Sequence, residues 1–416
     1  MLSALWLMVL ASSSQVMIIA PILPRIGEAL RIEESVQGYL ITAYTLTMGA
    51  TALVAGPVSD KFGRRFILLV GTGVQGIGLL LHVFAFDYYS LMTVRMVAGM
   101  GGGVLTGAAV SAVGDFFPYE RRGWANGIVM SGFAVGQVLG VPAGTILAKY
   151  YGFRAPFSVF AGVMALSFLM TLVLVPQPEV ERSDEPLSVG GALRNYGELF
   201  VNHGAVRVAA ACYGLIFFSI QTFVAFMPTW LEDEFALHSE TVASMFFFGG
   251  LASVVAGPQA GRLSDRVGRR PLIAIACVGT AALTVATTFA IRGAVSAHIV
   301  FFLTMVLLAG RLSPFQTLVS SLVPAHRRGT LMSGVVSVGQ IGGGVGAAVA
   351  GIVYQHHSYF ADTLLSATAI LATAALVWWG LAQAEQEADR QTGRHEALVP
   401  PGNDAGASPP SASAEA

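Results

Sequence analysis

The sequence predicts an all-α membrane protein: twelve transmembrane helices in two pseudo-symmetric six-helix bundles. Three observations carry this. Apolar runs of membrane length recur along the chain. One charged phrase is written twice, 205 residues apart, as GPVSDKFGRR at 56–65 and GRLSDRVGRR at 261–270. The basic residues collect in alternate connections.

The apolar runs come first. The 416 residues are 54% hydrophobic and only 11% charged, with a mean hydropathy of +0.67. A soluble domain carries about 25% charged residues. Runs of about 20 apolar residues match the thickness of a bilayer core. They fall at 3–23, 38–58, 66–85, 90–113, 124–148, 155–176, 206–230, 241–260, 271–290, 297–322, 330–354 and 360–382. Each is expected to be helical, because an unpaired backbone amide in hydrocarbon costs several kcal/mol. None alternates with period two, as the strands of a membrane barrel would. The first run is too long for the apolar region of a signal peptide and lacks a charged leader, so it is read as a membrane helix.

The charged phrase orders these runs into halves. It follows the second run of each half. A second echo follows the fourth run of each, FFPYERRG at 116–123 and LVPAHRRG at 322–329. Two echoes at nearly one offset indicate a duplicated six-helix module. The reading is therefore a bundle at 1–176, a polar linker at 177–204, a second bundle at 205–384, and a tail at 385–416 too polar and Pro-rich to bury a core.

The basic residues orient the chain. Sixteen of the 23 Lys and Arg lie in one set of alternate connections and five in the other. The positive-inside rule puts both termini and both charged phrases in the cytoplasm, and the expected location is the cell inner membrane.

Within each phrase the residue types suit a latch between bundles. Gly56 and Gly63, like Gly261 and Gly268, permit tight turns and close approach. Asp60 and Asp265 suit orphan amides at a helix start. Arg64, Arg65, Arg266 and Arg269 can fork onto carboxylates or terminal carbonyls. In the fifth run, Gly132, Gly136, Gly140 and Gly144 recur every four residues and line one helix face for close packing.

These residues resemble the major facilitator superfamily. Both phrases match its loop signature, G-x-x-x-D-[RK]-x-G-[RK]-[RK]. LMTVRMVAGMG at 91–101 resembles the L-x-x-x-R-x-x-Q-G-x-G signature of its drug/proton antiporter branch, with Ala98 in place of Gln. GFAVGQVLGVPAG at 132–144 resembles its fifth-helix glycine run, with Pro142 preceded by Val141 as in sugar- and arabinose-efflux-like members. The resemblance implies alternating access between two rocking bundles. It implies that Asp60 latches onto the start of the eleventh helix near Gly329 and Thr330. It implies that Asp265 latches onto the start of the fifth, near Gly123 and Trp124. It also implies a proton-coupling role for Arg95.

Arg95 and Arg311 are the full charges within runs, where charge is expensive and usually functional. No carboxylate is expected well inside a run, and Asp115, at the end of the fourth, is the nearest titratable candidate. Gln15, Tyr44, Asn126, Gln137, Gln221 and Gln340 are the polar candidates for a substrate cavity. The histidines are scattered without metal-ligand spacing, and GMGGG at 99–103 lies in a membrane run rather than after a strand. No enzyme, metal or cofactor is therefore read. The function expected is secondary transport of a small neutral or anionic molecule, an efflux antiport driven by protons. Import of small organic anions or a non-transporting sensor on the same fold are the alternatives. The expected partners are substrate, protons and the lipid bilayer, with no nucleic acid, and the chain is expected to be a monomer.

Overall fold

Long apolar runs in this chain fold as helices. The computed structural model describes residues 1–105, 108, 112–113, 116–117, 119–176, 189–323 and 328–382, and no strand occurs among them. The 385–416 tail, residues 177–188 of the linker and Asp115 lie outside the described residues. Gly56, Asp60 and Asn126 are described only as helix backbone. In order the helices are α1 (Leu2–Met17), α2 (Ile19–Leu30), α3 (Glu34–Phe62), α4 (Arg64–Leu81), α5 (Tyr88–Leu105), α6 (Tyr119–Val135), α7 (Val141–Tyr151) and α8 (Arg154–Leu174). They continue as α9 (Val189–Asn202), α10 (Gly204–Val224), α11 (Met227–Phe235), α12 (Ser239–Val267), α13 (Arg269–Ala290), α14 (Ala294–Ser320), α15 (Arg328–His356) and α16 (Tyr359–Ala375). Among the described residues ten helices are long and apolar enough to cross a membrane, and α1 with α2 makes an eleventh, bent by 57°. α5, diluted by Arg95 and a glycine run, occupies the remaining position.

The first, fifth and seventh runs are not single straight rods, and proline explains each departure. A proline ring collides with the carbonyl four residues earlier and donates no hydrogen bond. Pro21 thus opposes continuation past Met17, and the bend falls there. Pro228 opposes the Val224 carbonyl, where α10 gives way to α11. Pro142 opposes the Val138 carbonyl, and a π-turn spans Gly136–Gly140 immediately before α7. This turn has a second effect. In an α-helix a four-residue repeat drifts by about 40° per step. The wider π-turn takes up drift, so Gly132, Gly136 and Gly140 stay on α1 and Gly144 meets Ile18 just past its end. A β-carbon on Gly132 would stand 2.6 Å from the Trp6 carbonyl, and one on Gly140 would stand 2.9 Å from Ser14 Cβ.

The two charged phrases fold alike. Gly63 (φ 92°, ψ 155°) joins α3 to α4, and Gly268 (φ 97°, ψ 143°) joins α12 to α13. Each amide donates to the serine carbonyl four residues back, Ser59 and Ser264, at 2.9 Å. That backbone region is essentially restricted to glycine and costs other residues about 1–3 kcal/mol. A β-carbon at Gly268 would meet nothing nearer than Pro271 Cδ at 3.4 Å, so the penalty there is purely conformational. Gly268→Ala is expected to lower the thermal midpoint of the detergent-solubilised protein by several degrees. Gly257→Ala, mid-helix with open space around it, should leave it level or raise it. Equal midpoints for the two variants would remove the strain argument.

The last arginine of each phrase closes its own half. Arg65 Nη2 donates to the Leu172 carbonyl at 2.7 Å, at the end of α8. Arg270 Nε donates to the Val377 carbonyl at 3.3 Å and Nη2 to Trp378, beyond the end of α16. A cation at these carbonyl ends also complements the helix dipole. Within the expected linker, α9 buries Leu199, and Phe200 and Tyr196 reach the backbone of α15 at Gly334.

Two seams join the halves. Along the first, Gly38 of α3 faces Ala347 of α15 so closely that a β-carbon would enter the van der Waals shell of its carbonyl. Thr42 Oγ1 donates to the Gly344 carbonyl at 2.6 Å. A β-carbon on Gly49 would stand 3.0 Å from the Ser337 carbonyl. Along the second, Val138 meets Gly250 of α12, Lys149 pairs with Glu240, and Arg25 Nη2 donates to Ser239 Oγ at 3.3 Å. Both seams lie toward the end remote from the arginine phrases. At the arginine end Asp265 and Arg266 are exposed.

Candidate functional site

The first half holds a buried polar knot around Arg95. α5 brings this residue inward, where it is wholly buried. Its Nε donates to the Leu40 carbonyl at 3.2 Å, and its guanidinium lies 4.4 Å from the centre of the Tyr44 ring. Nη1 and Nη2 have no hydrogen-bond partner. Tyr44 in turn accepts from Gln75 Nε2 at 3.2 Å, and Gln75 also reaches Ser12 Oγ at 3.3 Å. Helices α1, α3, α4 and α5 thus meet at one point. Glycine makes the approach possible: a β-carbon on Gly102 would stand 2.8 Å from Tyr44 Oη, and one on Gly101 2.6 Å from Gln75 Cα. Gln15 of α1 is also wholly buried, with its amide unpartnered. His82 sits at the end of α4 with Nδ1 2.7 Å from the Gly78 carbonyl, its ring stacked on Phe157 at 4.1 Å. Ala98 is buried too, packed where Gly78 leaves room.

The second half is built differently. Arg311 of α14 is wholly buried, and its guanidinium nitrogens find no oxygen acceptor. It interacts with the Cys277 thiol of α13. Five residues further along α14 than Arg311, Gln316 donates to Tyr213 Oη at 3.2 Å. Gln340 and Gln221 are nearly buried, and both approach the first seam, Gln340 beside Gly49 and Gln221 beside Gly343. Gln137 is half-buried in the π-turn. The two arginines do not occupy equivalent places, so the duplicated scaffold carries unlike interiors.

One carboxylate is nevertheless withdrawn from solvent: Asp362, in the first turn of α16, is wholly buried and neither oxygen has a hydrogen-bond partner. By position it stands at the edge of its apolar run. Aromatic residues stack at the same end of the molecule, remote from the arginine phrases. Trp230 stacks on Tyr359 at 4.6 Å, and Tyr354 stacks on Phe226 at 5.3 Å.

At the phrases themselves, Arg64 Nη1 donates to Ser59 Oγ at 2.6 Å, and Asp265 is exposed. A β-carbon on Gly261 would stand 3.2 Å from Ser313 Oγ of α14. In the connection before α5, Asp87 Oδ1 accepts from the Ser90 amide at 2.8 Å. Hydrogen bonding from Ser90 holds that half-buried residue's carboxyl below its ordinary value.

Comparison with known proteins places this geometry. The family model described as Major Facilitator Superfamily matches residues 5–229 and 209–411. A Bacillus subtilis (strain 168) protein named "Uncharacterized MFS-type transporter YceJ" is 25% identical over 356 residues, covering 85% of this chain and 89% of its own length. "Multidrug resistance protein MdtG" of Klebsiella pneumoniae (strain 342) is 24% identical over 406 residues, covering 95% and 96%. Among solved structures, "Crystal structure of D-xylose-proton symporter" superposes with a TM-score of 0.72 over 91% of this chain and 96% of that one. The two sequences are 16% identical, so the likeness is one of fold.

Proposed function

The chain belongs to the Major Facilitator Superfamily, a family of membrane transporters rather than enzymes, and from that premise we propose that it exports small molecules in exchange for protons. The observation that carries the reading is the pair of seams. Both halves meet tightly at the end remote from the arginine phrases. If basic loops face the cytoplasm, this conformation is closed outward and receives its cargo from the cell. Relatives named as multidrug resistance proteins support export. Their bacterial hosts support the inner membrane. Alternating access then requires the seams to part and the arginine end to close, with Asp60 and Asp265 latching it and Gly56, Gly63, Gly261 and Gly268 shaping the loops.

The favoured cargo is neutral or anionic. Two buried guanidiniums, Arg95 and Arg311, outnumber the one wholly buried carboxylate among the described residues, and low dielectric strengthens their field. Arg95 and Asp115 are the candidates for proton coupling. The test uses inverted vesicles energised to an acidic interior, with an uncharged dye, an anionic dye and ethidium as probes. The neutral or anionic dye should accumulate and leave again when a protonophore is added. Accumulation only in right-side-out vesicles would reverse the direction proposed, and ethidium as the best cargo would reverse the charge preference.

A further inference from the structure

We propose that Asp362 is the seat of a coupling cation, a proton or a sodium ion, reached from an acidic cleft beside it; this rests on the reading of the chain as a cation-coupled transporter. Asp362 is wholly buried, and neither carboxylate oxygen has a hydrogen-bond partner. A bare buried carboxylate costs several kcal/mol, and a bound cation offsets that cost.

The hydroxyls beside it along α16, and Ser219 of α10 with them, cannot help it, because each has given its hydrogen elsewhere. Tyr359 Oη donates to the Phe223 carbonyl at 2.7 Å. Thr363 Oγ1 donates to the Phe360 carbonyl at 2.7 Å, and Ser366 Oγ to the Ser219 carbonyl at 2.8 Å. Ser219 Oγ lies 2.9 Å from Ser366 Oγ and is left to donate to it. With their hydrogens given away, these hydroxyls have only oxygen lone pairs left to offer, and lone pairs together with a carboxylate suit a hard cation.

Access is built in. Tyr359, one turn from Asp362, lines a cleft of about 480 Å³ that also carries Glu34, Asp233, Glu234, Arg292 and Tyr354. Three carboxylates against one guanidinium make the mouth attractive to cations. Tyr354 Oη donates to Asp233 Oδ2 at 2.9 Å and ties the two walls together. The titratable groups that feel the Asp362 charge are Tyr354 and Tyr359. α10 and α13, which pack on α16, carry charge only at their far ends, at Arg207 and at Arg269 and Arg270. α15 ends in His356 and His357, both exposed.

The experiment reads binding on the purified full-length protein in detergent, with no transported substrate. Binding of radioactive sodium and the infrared band of protonated carboxyl groups are followed as the pH is raised. The expected result takes one of two forms. Sodium binds to the wild type and is lost in Asp362→Asn, or sodium is absent and the wild type shows a titrating carboxyl band that Asp362→Asn lacks. The first form names sodium and the second names the proton. Silence in both measurements on the wild type overturns the site, as does a signal that persists unchanged in Asp362→Asn. Should that variant not fold, Asp362→Glu keeps the carboxyl and must shift the sodium affinity or the band; no shift is a refutation. Because nothing is transported, a blank result here leaves the export reading intact, and failed flux leaves this site intact.

Discussion

Gly38→Leu is expected to abolish transport while the protein remains folded in the membrane. Gly38 lies on the seam between α3 and α15, and even a β-carbon there would collide with the Ala347 carbonyl. Backbone cannot yield as a flexible side chain can, so the helices must separate. Overpacking of this kind costs about 1–3 kcal/mol. Set against one state of a two-state transporter, that shifts the balance by about 5- to 150-fold. The penalty falls on the state whose seam is closed, because the open state has no Ala347 carbonyl at that position. The readout is a single cysteine at Thr42, whose hydroxyl now meets the Gly344 carbonyl at 2.6 Å. The native Cys212 and Cys277 are buried. In the Gly38→Leu background, Thr42→Cys should react much faster with a water-soluble maleimide. Unchanged labelling, or transport at the wild-type rate, would defeat the view that this seam is a gate. Gly101→Leu should behave differently. It faces the backbone of Gln75 within one bundle, so it should cost folded protein rather than lock one conformation.

The difference between those glycines marks where sequence reading ends. The spans were visible because bilayer thickness imposes a length on apolar runs. The duplication was visible because charge is scarce in such a chain, and a repeated charged phrase stands out. Arg95 was visible for the same reason. What an arginine touches was not: that Arg65 and Arg270 both reach the carbonyl end of the last helix of their own half depends on tertiary packing. Gly38 looks like any membrane glycine until α15 is laid beside it. The bend after Met17 had a local signal in Pro21, since its ring opposes the carbonyl four residues before. The π-turn had one in Pro142. Asp362 had none. It sits at the end of an apolar run, where a carboxylate normally meets water. Its burial is set by how α10 and α13 pack on α16, which the run itself does not show. That burial matters chemically, because it supplies a buried acid that the apolar pattern of the first helix does not.

Arg95→Lys is expected to lose transport at least tenfold, although charge is conserved. The native guanidinium does two things with one planar group. Its Nε donates to the Leu40 carbonyl at 3.2 Å, and its face lies over Tyr44 at 4.4 Å. A lysine ammonium is a compact point charge without that fork, and from the same Cα it cannot hold both contacts. A hydrogen bond from a charged group contributes about 1.5–3 kcal/mol, and a desolvated cation–π contact about 2 kcal/mol. Losing either from one state exceeds the roughly 1.4 kcal/mol that corresponds to tenfold. Tyr44→Phe separates the contributions. It keeps the aromatic face and removes only the hydroxyl that accepts from Gln75 Nε2 at 3.2 Å, so its transport should stay within severalfold of wild type. Flux and thermal midpoint must be measured together. A purely structural arginine would lower the midpoint in Arg95→Ala and leave the flux per folded molecule unchanged. A functional one loses flux in Arg95→Lys even where the midpoint holds. Wild-type flux in Arg95→Lys would show that the buried charge alone is what the membrane interior tolerates there, and that neither the fork nor the stack takes part in the cycle.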